Sequence, residues 1–163
     1  MVNGLALRIM GRDADVDDLV QDAFVQALTS LHALKEPQAF GGWLGSIVVR
    51  TASKLLRRRK LMTRLGLRRP NDPIDLDLLV ARTAPPDEAA ELRAIYGAVD
   101  AMPVDVRVPL ILRRVEGMPL EEIAEHTGVS LATVKRKITQ GEELLMKRFA
   151  DPKRAGEKLG GAA

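Results

Sequence analysis

The 163-residue sequence predicts an all-α protein: two small helical domains joined by a flexible linker, the second with a helix-turn-helix. In several long segments apolar residues recur at alternating steps of three and four, which is the spacing of one helix face. No segment alternates apolar and polar residues as a strand would. Four prolines interrupt the pattern near mid-chain: Pro70, Pro73, Pro85 and Pro86. They predict a first domain at 1–61, a linker at 62–87, a second domain at 88–150 and a disordered tail at 151–163.

Composition excludes several classes of function. The chain has no cysteine, so disulfides and thiolate metal sites are excluded. His32 and His126 are far apart without metal-ligand spacing, and each is interpreted as an ordinary surface or helix-end residue, so no metal or other cofactor is expected. No run of ~18 apolar residues predicts a membrane span. Met1–Met10 lacks the apolar stretch of a signal peptide, and a cytoplasmic protein without membrane insertion is expected.

The first long helix is predicted from Asp13, as its cap, to about His32. Its apolar stripe is Val16, Leu19, Val20, Ala23, Phe24, Ala27, Leu28 and Leu31. The first turns of the other face are acidic or polar: Asp15, Asp17, Asp18, Gln21 and Asp22. Carboxylates near a helix N-terminus favour the helix dipole, but these aspartates exceed what capping needs. The face is either a docking surface for a basic partner or a solvated surface.

A second long helix is predicted from about Gln38 to Lys60, with its own apolar stripe. The stripe is Phe40, Trp43, Leu44, Ile47, Val48, Thr51, Ala52, Leu55 and Leu56. Two such stripes predict that the two helices pack together. Residues 37–71 hold nine cations and no carboxylate, which indicates a polyanionic partner. Trp43 is assigned to the core, with base stacking as the alternative.

Residues 120–138 form the most specific motif. Further helices are predicted around Leu92–Val99 and at Val106–Val115, and the last helix is predicted to extend to Phe149. Within the motif, Pro119 precedes the first turn, Gly128 supplies a left-handed residue and Ser130 caps the second helix. The outer face of that helix carries hydroxyls and cations: Thr133, Lys135, Arg136 and Lys137. Such a face suits the major groove of DNA, and the alternative is a solvated basic helix pair.

These motifs, in this order, resemble the small bacterial sigma-70-type sigma factors of the extracytoplasmic-function group. Residues 15–28 (DVDDLVQDAFVQAL) resemble region 2.2, and residues 40–59 (FGGWLGSIVVRTASKLLRRR) resemble regions 2.3 and 2.4. Residues 99–149 resemble region 4, including Met-Pro at 102–103 and Glu-Gly-Met-Pro at 116–119. Members carry a longer first helix than Met1–Met10 allows, so the resemblance implies a shortened region 2.

The resemblance implies a set of partners and contact residues. RNA polymerase core, through the clamp helices of its largest subunit, would meet Asp17, Asp18, Gln21 and Asp22. The minus-ten element would meet Arg50, Lys54, Arg57 and Arg58 through phosphates, with Lys35 and Gln38 as candidates to hold an extruded base. The minus-35 duplex would meet Ser130, Thr133, Lys135, Arg136 and Lys137, with Arg136 reading a base. An anti-sigma factor that restrains the protein is also implied.

The implied function is recruitment of polymerase to specific promoters through minus-35 duplex and melted minus-ten contacts. The main alternative is a stand-alone helix-turn-helix regulator that binds duplex DNA without polymerase core, and a second is a helical adaptor that binds no DNA. An enzyme is not expected, because no paired catalytic acids, activated nucleophile or phosphate loop occurs. Pro109 and Gly141 depart from good helix sequence, Pro109 being tolerable only near the first turn of its helix.

Overall fold

The computed structural model describes residues 2–11, 15–67 and 86–150, and the side chains of 86–93 are not included. Within these ranges every regular element is helical, which confirms the predicted fold class. The α-helices are α1 Val2–Met10, α2 Val16–Ser30, α3 Phe40–Arg64, α4 Pro86–Ala101, α5 Val104–Arg114, α6 Leu120–Thr127 and α7 Leu131–Phe149. Two single 3-10 turns, Leu31–Ala33 and Pro37–Ala39, join α2 to α3. The predicted tail and most of the predicted linker lie outside the described residues.

Helix α1 is the element that sequence analysis missed. Its five buried side chains, Val2, Leu5, Ala6, Ile9 and Met10, recur at helical spacing and pack into the core. The helix ends at Gly11, whose φ of 76° is the left-handed conformation that glycine adopts without strain. Helix α1 therefore packs together with α2 and α3 in one group of helices.

The prediction of one apolar stripe along α2 was wrong for three of its eight residues. Val16, Leu19, Ala23 and Ala27 are buried, and Val20 packs against the core. Phe24, Leu28 and Leu31 are 47%, 73% and 47% exposed. Ala23 and Ala27 are small, so neighbouring helices can lie close to this side of α2. The packed face of α2 is therefore narrower than the pattern of apolar residues in the sequence indicates. Asp13 lies outside the described residues, and the observed N-cap, Asp15, makes no side-chain capping bond.

Helix α3 is the centre of the molecule and packs against α1, α2, α5 and α6. It ends at Arg64, four residues beyond the predicted end at Lys60. Its buried residues are Leu44, Gly45, Val48, Val49, Thr51, Ala52, Ser53 and Leu56. Trp43 packs against this core with its ring centroid 5.9 Å from that of Phe40, which agrees with the core assignment.

In the second predicted domain, α5 packs against α6 and α7, and α4 packs against α7. Buried Arg107 of α5 forms an ion pair with Asp100 of α4. Pro109 is the sixth residue of α5, in its second turn rather than near its start. Gly141 permits a close crossing of α5 and α7, because an added Cβ would lie 3.0 Å from Leu110 Cδ2 and 3.2 Å from Val106 Cγ1. The glycine that looked unfavourable in sequence thus leaves room for the side chains of α5 at this crossing.

The two predicted domains pack against each other in this structure. The buried apolar residues form one continuous cluster that extends from Val2 in α1 to Ile138 in α7. Contacts of α3 with α5 and α6 connect the two halves. None of the described helices has the length and apolar character needed to cross a membrane.

Replacing Gly141 by Leu is expected to lower the free energy of unfolding by about 1–3 kcal/mol, because overpacking at the α5–α7 crossing outweighs the better helix propensity. Gly97→Leu is the matched control, since Gly97 of α4 is exposed and has no atom within 4 Å of an added Cβ. That variant should be as stable as the wild type or up to about 1 kcal/mol more stable. Urea denaturation measures both; equal effects of the two changes would contradict a packing role for Gly141.

Candidate nucleic-acid and protein interface

The helix-turn-helix forms as the sequence predicts. Gly128 has a φ of 71° and its N–H donates to the carbonyl of Ala124 (2.9 Å), which ends α6. The Ser130 hydroxyl accepts from the backbone N–H of Thr133 (3.3 Å) and caps α7. Ile123 of α6 and Val134 of α7 are buried, and the two helices pack against each other. Pro119 is the residue just before α6.

The outward face of α7 contains some, but not all, of the residues predicted to meet DNA. Ser130, Lys135 and Arg136 are exposed and Thr133 is half-buried. Lys137 is turned away from them: its side chain is 21% exposed and its Nζ lies 2.5 Å from Asp105 Oδ2 of α5. The hydrogen bond from Lys137 holds the pKa of Asp105 below its usual value, and the positive charges of Lys137 and Arg57 act in the same direction.

The basic residues of α3 divide into two groups. Lys54 and Arg58 are exposed and have no ion-pair partner among the residues that the structure describes. Arg50 and Arg57 are also exposed, but they border the second half of the chain. The Arg50 guanidinium donates to the backbone carbonyl of Glu125 in α6 (3.0 Å), and Arg57 is near enough to Asp105 to lower its pKa.

Lys35 and Gln38, the candidates for holding a base, lie in the connection between α2 and α3. Lys35 is between the two 3-10 turns, and Gln38 is inside the second one. Both side chains are exposed. Phe40, at the start of α3, is 42% exposed and contacts the Trp43 ring. The connection therefore presents polar groups next to an accessible aromatic ring.

Helix α2 presents an acidic surface that continues into an apolar one. Asp17, Asp18, Gln21 and Asp22 are all exposed, as the docking interpretation requires. Their neighbours toward the C-terminus of the same face are the exposed apolar residues, here called the α2 apolar stripe: Phe24, Leu28 and Leu31. Gln21, Phe24, Leu28 and Leu31 follow one another at steps of three, four and three residues. This spacing keeps the acidic and apolar parts on one side of the helix.

His126 lies in the last turn of α6, as a helix-end residue would, but it is buried and is not a surface residue. It is 3% exposed, and its Nδ1–H donates to the carbonyl of Glu122 one turn earlier (2.9 Å). Its Nε2 points at Gly45 of α3, where an added Cβ would lie only 2.8 Å away. Contact between the two halves of the chain buries His126, and no local sequence pattern predicts that contact. His32 is exposed, as predicted.

The family follows from comparison with known proteins. The sigma-70 region 2 family matches residues 1–61, and the sigma-70 region 4 family matches residues 92–145. The chain is 30% identical over 156 residues to the ECF RNA polymerase sigma-E factor of Haemophilus influenzae, covering 88% of this chain and 79% of that protein. The chain belongs to the ECF sigma factors.

Other similar proteins support the same family assignment for this ECF sigma factor. It is 31% identical over 148 residues to the ECF RNA polymerase sigma factor SigE of Mycolicibacterium smegmatis (86% of this chain), and spans 54% of that protein's length. It is 29% identical over 141 residues to RNA polymerase sigma factor SigV of Bacillus subtilis, covering 86% and 80% of the two chains. The sigma factor RpoE of Bartonella quintana, solved in complex with the anti-sigma factor NepR, has the same fold: TM-score 0.66, 17% identity, 93% and 91% coverage.

Membership of this family has two consequences for the sequence-based interpretation. Two matched regions in sigma-factor order do not fit a stand-alone regulator, so that alternative is set aside. The region 2 match begins at residue 1, so α1 belongs to the same family unit as α2 and α3 of the sigma factor.

The Asp105–Lys137 pair predicts a pH-dependent stability difference. Since folding lowers the pKa of Asp105, the pair stabilises the sigma factor above the ordinary aspartate pKa of about 3.9, and this contribution is lost as the pH falls through the lowered value. Lys137→Met should therefore lower the free energy of unfolding by at most about 1 kcal/mol near pH 7, because the half-exposed pair is screened by solvent. Below the folded-state pKa of Asp105, the substitution should leave the free energy of unfolding unchanged.

NMR titration of the Asp105 carboxyl and urea denaturation at several pH values check this prediction. Lys135→Met is the matched control, since it removes the same charge from an exposed side chain two residues away. An unchanged Asp105 pKa in Lys137→Met would show that the pair does not persist in solution.

Proposed function

We propose that this ECF sigma factor docks on RNA polymerase core through α2 and directs it to promoters through α3 and α7. The observation that supports this is the presence of three exposed surfaces of different chemistry on one helical body. One is acidic and apolar, one is basic, and one is the outer face of a helix-turn-helix. Their order along the chain is that of the matched family regions.

The α2 surface suits a basic helical partner with some apolar surface of its own. Asp17, Asp18 and Asp22 would speed and orient the encounter with the clamp helices of the largest polymerase subunit. The α2 apolar stripe would supply the area removed from water, which charge complementarity alone does not provide. Both parts lie on one side of the helix, so one partner surface can cover them.

The α3 surface suits the phosphate backbone of the minus-ten element. Lys54 and Arg58 are exposed for such contacts, and Arg50 and Arg57 extend the basic row along the helix. Lys35 and Gln38 lie near exposed Phe40, so an extruded base could both stack and form hydrogen bonds there. Captured single strand would stabilise the melted promoter.

The α7 surface suits the minus-35 duplex. The N-terminus of the helix, with Ser130 and Thr133, would meet phosphates, and Arg136 would read a base through its two-pronged guanidinium. Lys135 would add a phosphate contact. Because Lys137 is paired with Asp105, it is not among the proposed minus-35 contacts in this structure.

This activity is recruitment rather than catalysis, and we propose that it takes place in the cytoplasm without enzymatic turnover. One chain ties two DNA elements to one polymerase, so each contact raises the effective concentration of the other. An anti-sigma factor that covers the chain is part of the proposal. Its support is the fold shared with a sigma factor that was solved bound to one.

Truncating the α2 apolar stripe should weaken binding to polymerase core. We expect Leu28→Ala to raise the Kd for core about 5- to 30-fold, since a buried leucine side chain contributes about 1–2 kcal/mol more than alanine. Met146→Ala is the control, because Met146 of α7 is equally exposed, at 71% against 73%, on the other half of the chain. Thermal melts should show little change for either variant. Fluorescence anisotropy with purified core measures the Kd, and equal losses for the two variants would count against docking through α2.

Removing the guanidinium of Arg136 should relax promoter specificity. Arg136→Ala in the reconstituted holoenzyme is expected to cost about 1–3 kcal/mol on the preferred minus-35 sequence and less on sequences that differ at the base it reads. Lys147→Ala removes a cation from an exposed site eleven residues along the same helix and should have little effect. A binding assay over a promoter library measures both. Full sequence-specific binding by the sigma factor without core would instead support a stand-alone regulator.

A further inference from the structure

We propose that the C-terminal end of α3 binds the surface of an anionic membrane. The exposed residues from position 54 to 65 are two leucines and four cations, here called the α3 amphipathic face: Lys54, Arg57, Arg58, Leu61, Arg64 and Leu65. The sequence from 37 to 71 contains no carboxylate that could neutralise these cations locally. Polymerase docking and promoter recognition give the leucines no role, and the region 2 match ends at residue 61.

The six residues of the α3 amphipathic face form one continuous surface. All of them lie within an arc of about 120°, because each residue of a helix turns the chain by about 100°. Leu61 and Leu65 are near the middle of this arc, with Arg57 and Arg64 along one edge and Arg58 along the other. The two leucines are 56% and 61% exposed. The other residues from 54 to 65 are buried or half-buried, so the face is the whole outer side of these turns.

The end of the helix adds a third exposed leucine in a fixed position. The N–H groups of Gly66 and Leu67 donate to the carbonyls of Thr63 (3.1 Å) and Met62 (3.0 Å), which is the Schellman pattern of a glycine-terminated helix. Gly66 has the left-handed φ of 70° that this pattern requires. Leu67 is therefore held by its backbone, yet its side chain is 72% exposed. In many such helix ends this residue packs on the last turn, whereas here it is presented to the surroundings.

A groove beside the face can accept the phosphate of a lipid headgroup. It has a volume of about 350 Å³ and lies between α3 and the start of α5. Three cations and one carboxylate line it: Arg57, Lys60, Arg64 and Asp105. Lys137 already pairs with Asp105, so the groove is positive overall. Leu61 also lines the groove, and a phosphate bound there would lie next to apolar surface, as it does in a lipid.

The combination of leucines and cations on one face favours a bilayer over other anionic partners. DNA phosphates would use the cations but would leave the three leucines in water. A bilayer presents phosphates at its surface and acyl chains just below them. The long stems of lysine and arginine let their charges stay at the phosphates while the leucines lie deeper. Binding to such a surface strengthens with both the buried apolar area and the number of cations, and this face supplies both.

Membrane binding would withhold the sigma factor from promoters. Lys54 and Arg58 belong both to this face and to the surface proposed for the minus-ten phosphates, so they cannot meet lipid and DNA together. This consequence rests on the proposed function. Vesicle binding itself is measured without core or DNA, so a failure of promoter recognition would leave the membrane surface untouched.

Vesicle flotation of the full chain tests the proposal. The vesicles contain equal parts of phosphatidylglycerol and phosphatidylcholine, or phosphatidylcholine alone. In about 0.1 M salt, wild-type protein should bind the anionic vesicles at least about tenfold more tightly than the neutral ones. Arg64→Gln should lower the partition coefficient on anionic vesicles about fivefold, because it removes one cation from the face.

Leu65→Ser isolates the apolar part of the contact. It should lower the partition coefficient about 3- to 10-fold, since a partly buried leucine is replaced by a polar side chain. Val115→Ser is the matched control and should bind as the wild type does. Both residues are the C-caps of their helices, and they are 61% and 60% exposed. Circular dichroism verifies that each variant is folded.

A polarity-sensitive dye locates the contact, because the natural chain has no cysteine and the dye can be attached at one chosen position. Its emission should shift to the blue on anionic vesicles when it is attached through Leu67→Cys, and should not shift when it is attached through Val115→Cys. Absence of wild-type binding to anionic vesicles would leave the face to DNA or to an acidic protein and would overturn the proposal. Equal partition coefficients for Leu65→Ser and Val115→Ser would overturn it as well, because charge alone would then explain the binding.

Discussion

Helix α3 carries the constraint on which the rest of the structure depends, because one helix of about 37 Å packs against four other helices and also presents the proposed DNA surface. One row of its residues packs with α1 and α2, and Arg59 at the end of that row lies 3.8 Å from Asp15. Gly45 meets His126 of α6, and buried Val49 and Ser53 follow Gly45 at four-residue steps on the same side of α3. Lys54 and Arg58 belong to neither row and stay exposed. The chemistry of each row therefore decides where the two halves, the solvent and the proposed DNA lie.

The separation of packed residues from exposed basic residues on α3 has a consequence for function. Residues that form the core are apolar or small, whereas the proposed contact residues on α2, α3 and α7 are mostly exposed and contribute little to packing. An ECF sigma factor can thus change its contact residues at little cost in stability. The exceptions are Ser130 and Thr133, which bond to each other in the cap of α7, and Arg50 and Lys137, which bond to other helices. At Arg50, whose partner Glu125 lies in the other half of the chain, any role in recognition is coupled to how the halves are arranged.

Features set by neighbours in sequence were predicted well, and features set by distant contacts were not. Gly128 and Ser130 act through bonds that span three or four residues, so their roles were visible in the sequence. Helix α1 was missed because a nine-residue segment with no acidic residue in its first turn carries few of the usual signals of a helix start. The whole row of apolar residues along α2 was predicted to pack, because periodicity shows which residues share a helix face but does not show what covers that face.

The sequence by itself determined the helical fold, the order of the acidic, basic and helix-turn-helix segments, and with them the family. These follow from residue spacing and from local hydrogen bonds, which depend on little beyond one or two helical turns. Only the tertiary structure decided that His126 is buried against Gly45, that Lys137 pairs with Asp105, and that Gly141 admits α5. Such contacts join residues from different helices. Which helices meet depends on the shapes and volumes of all the packed faces together, and no local pattern contains that information.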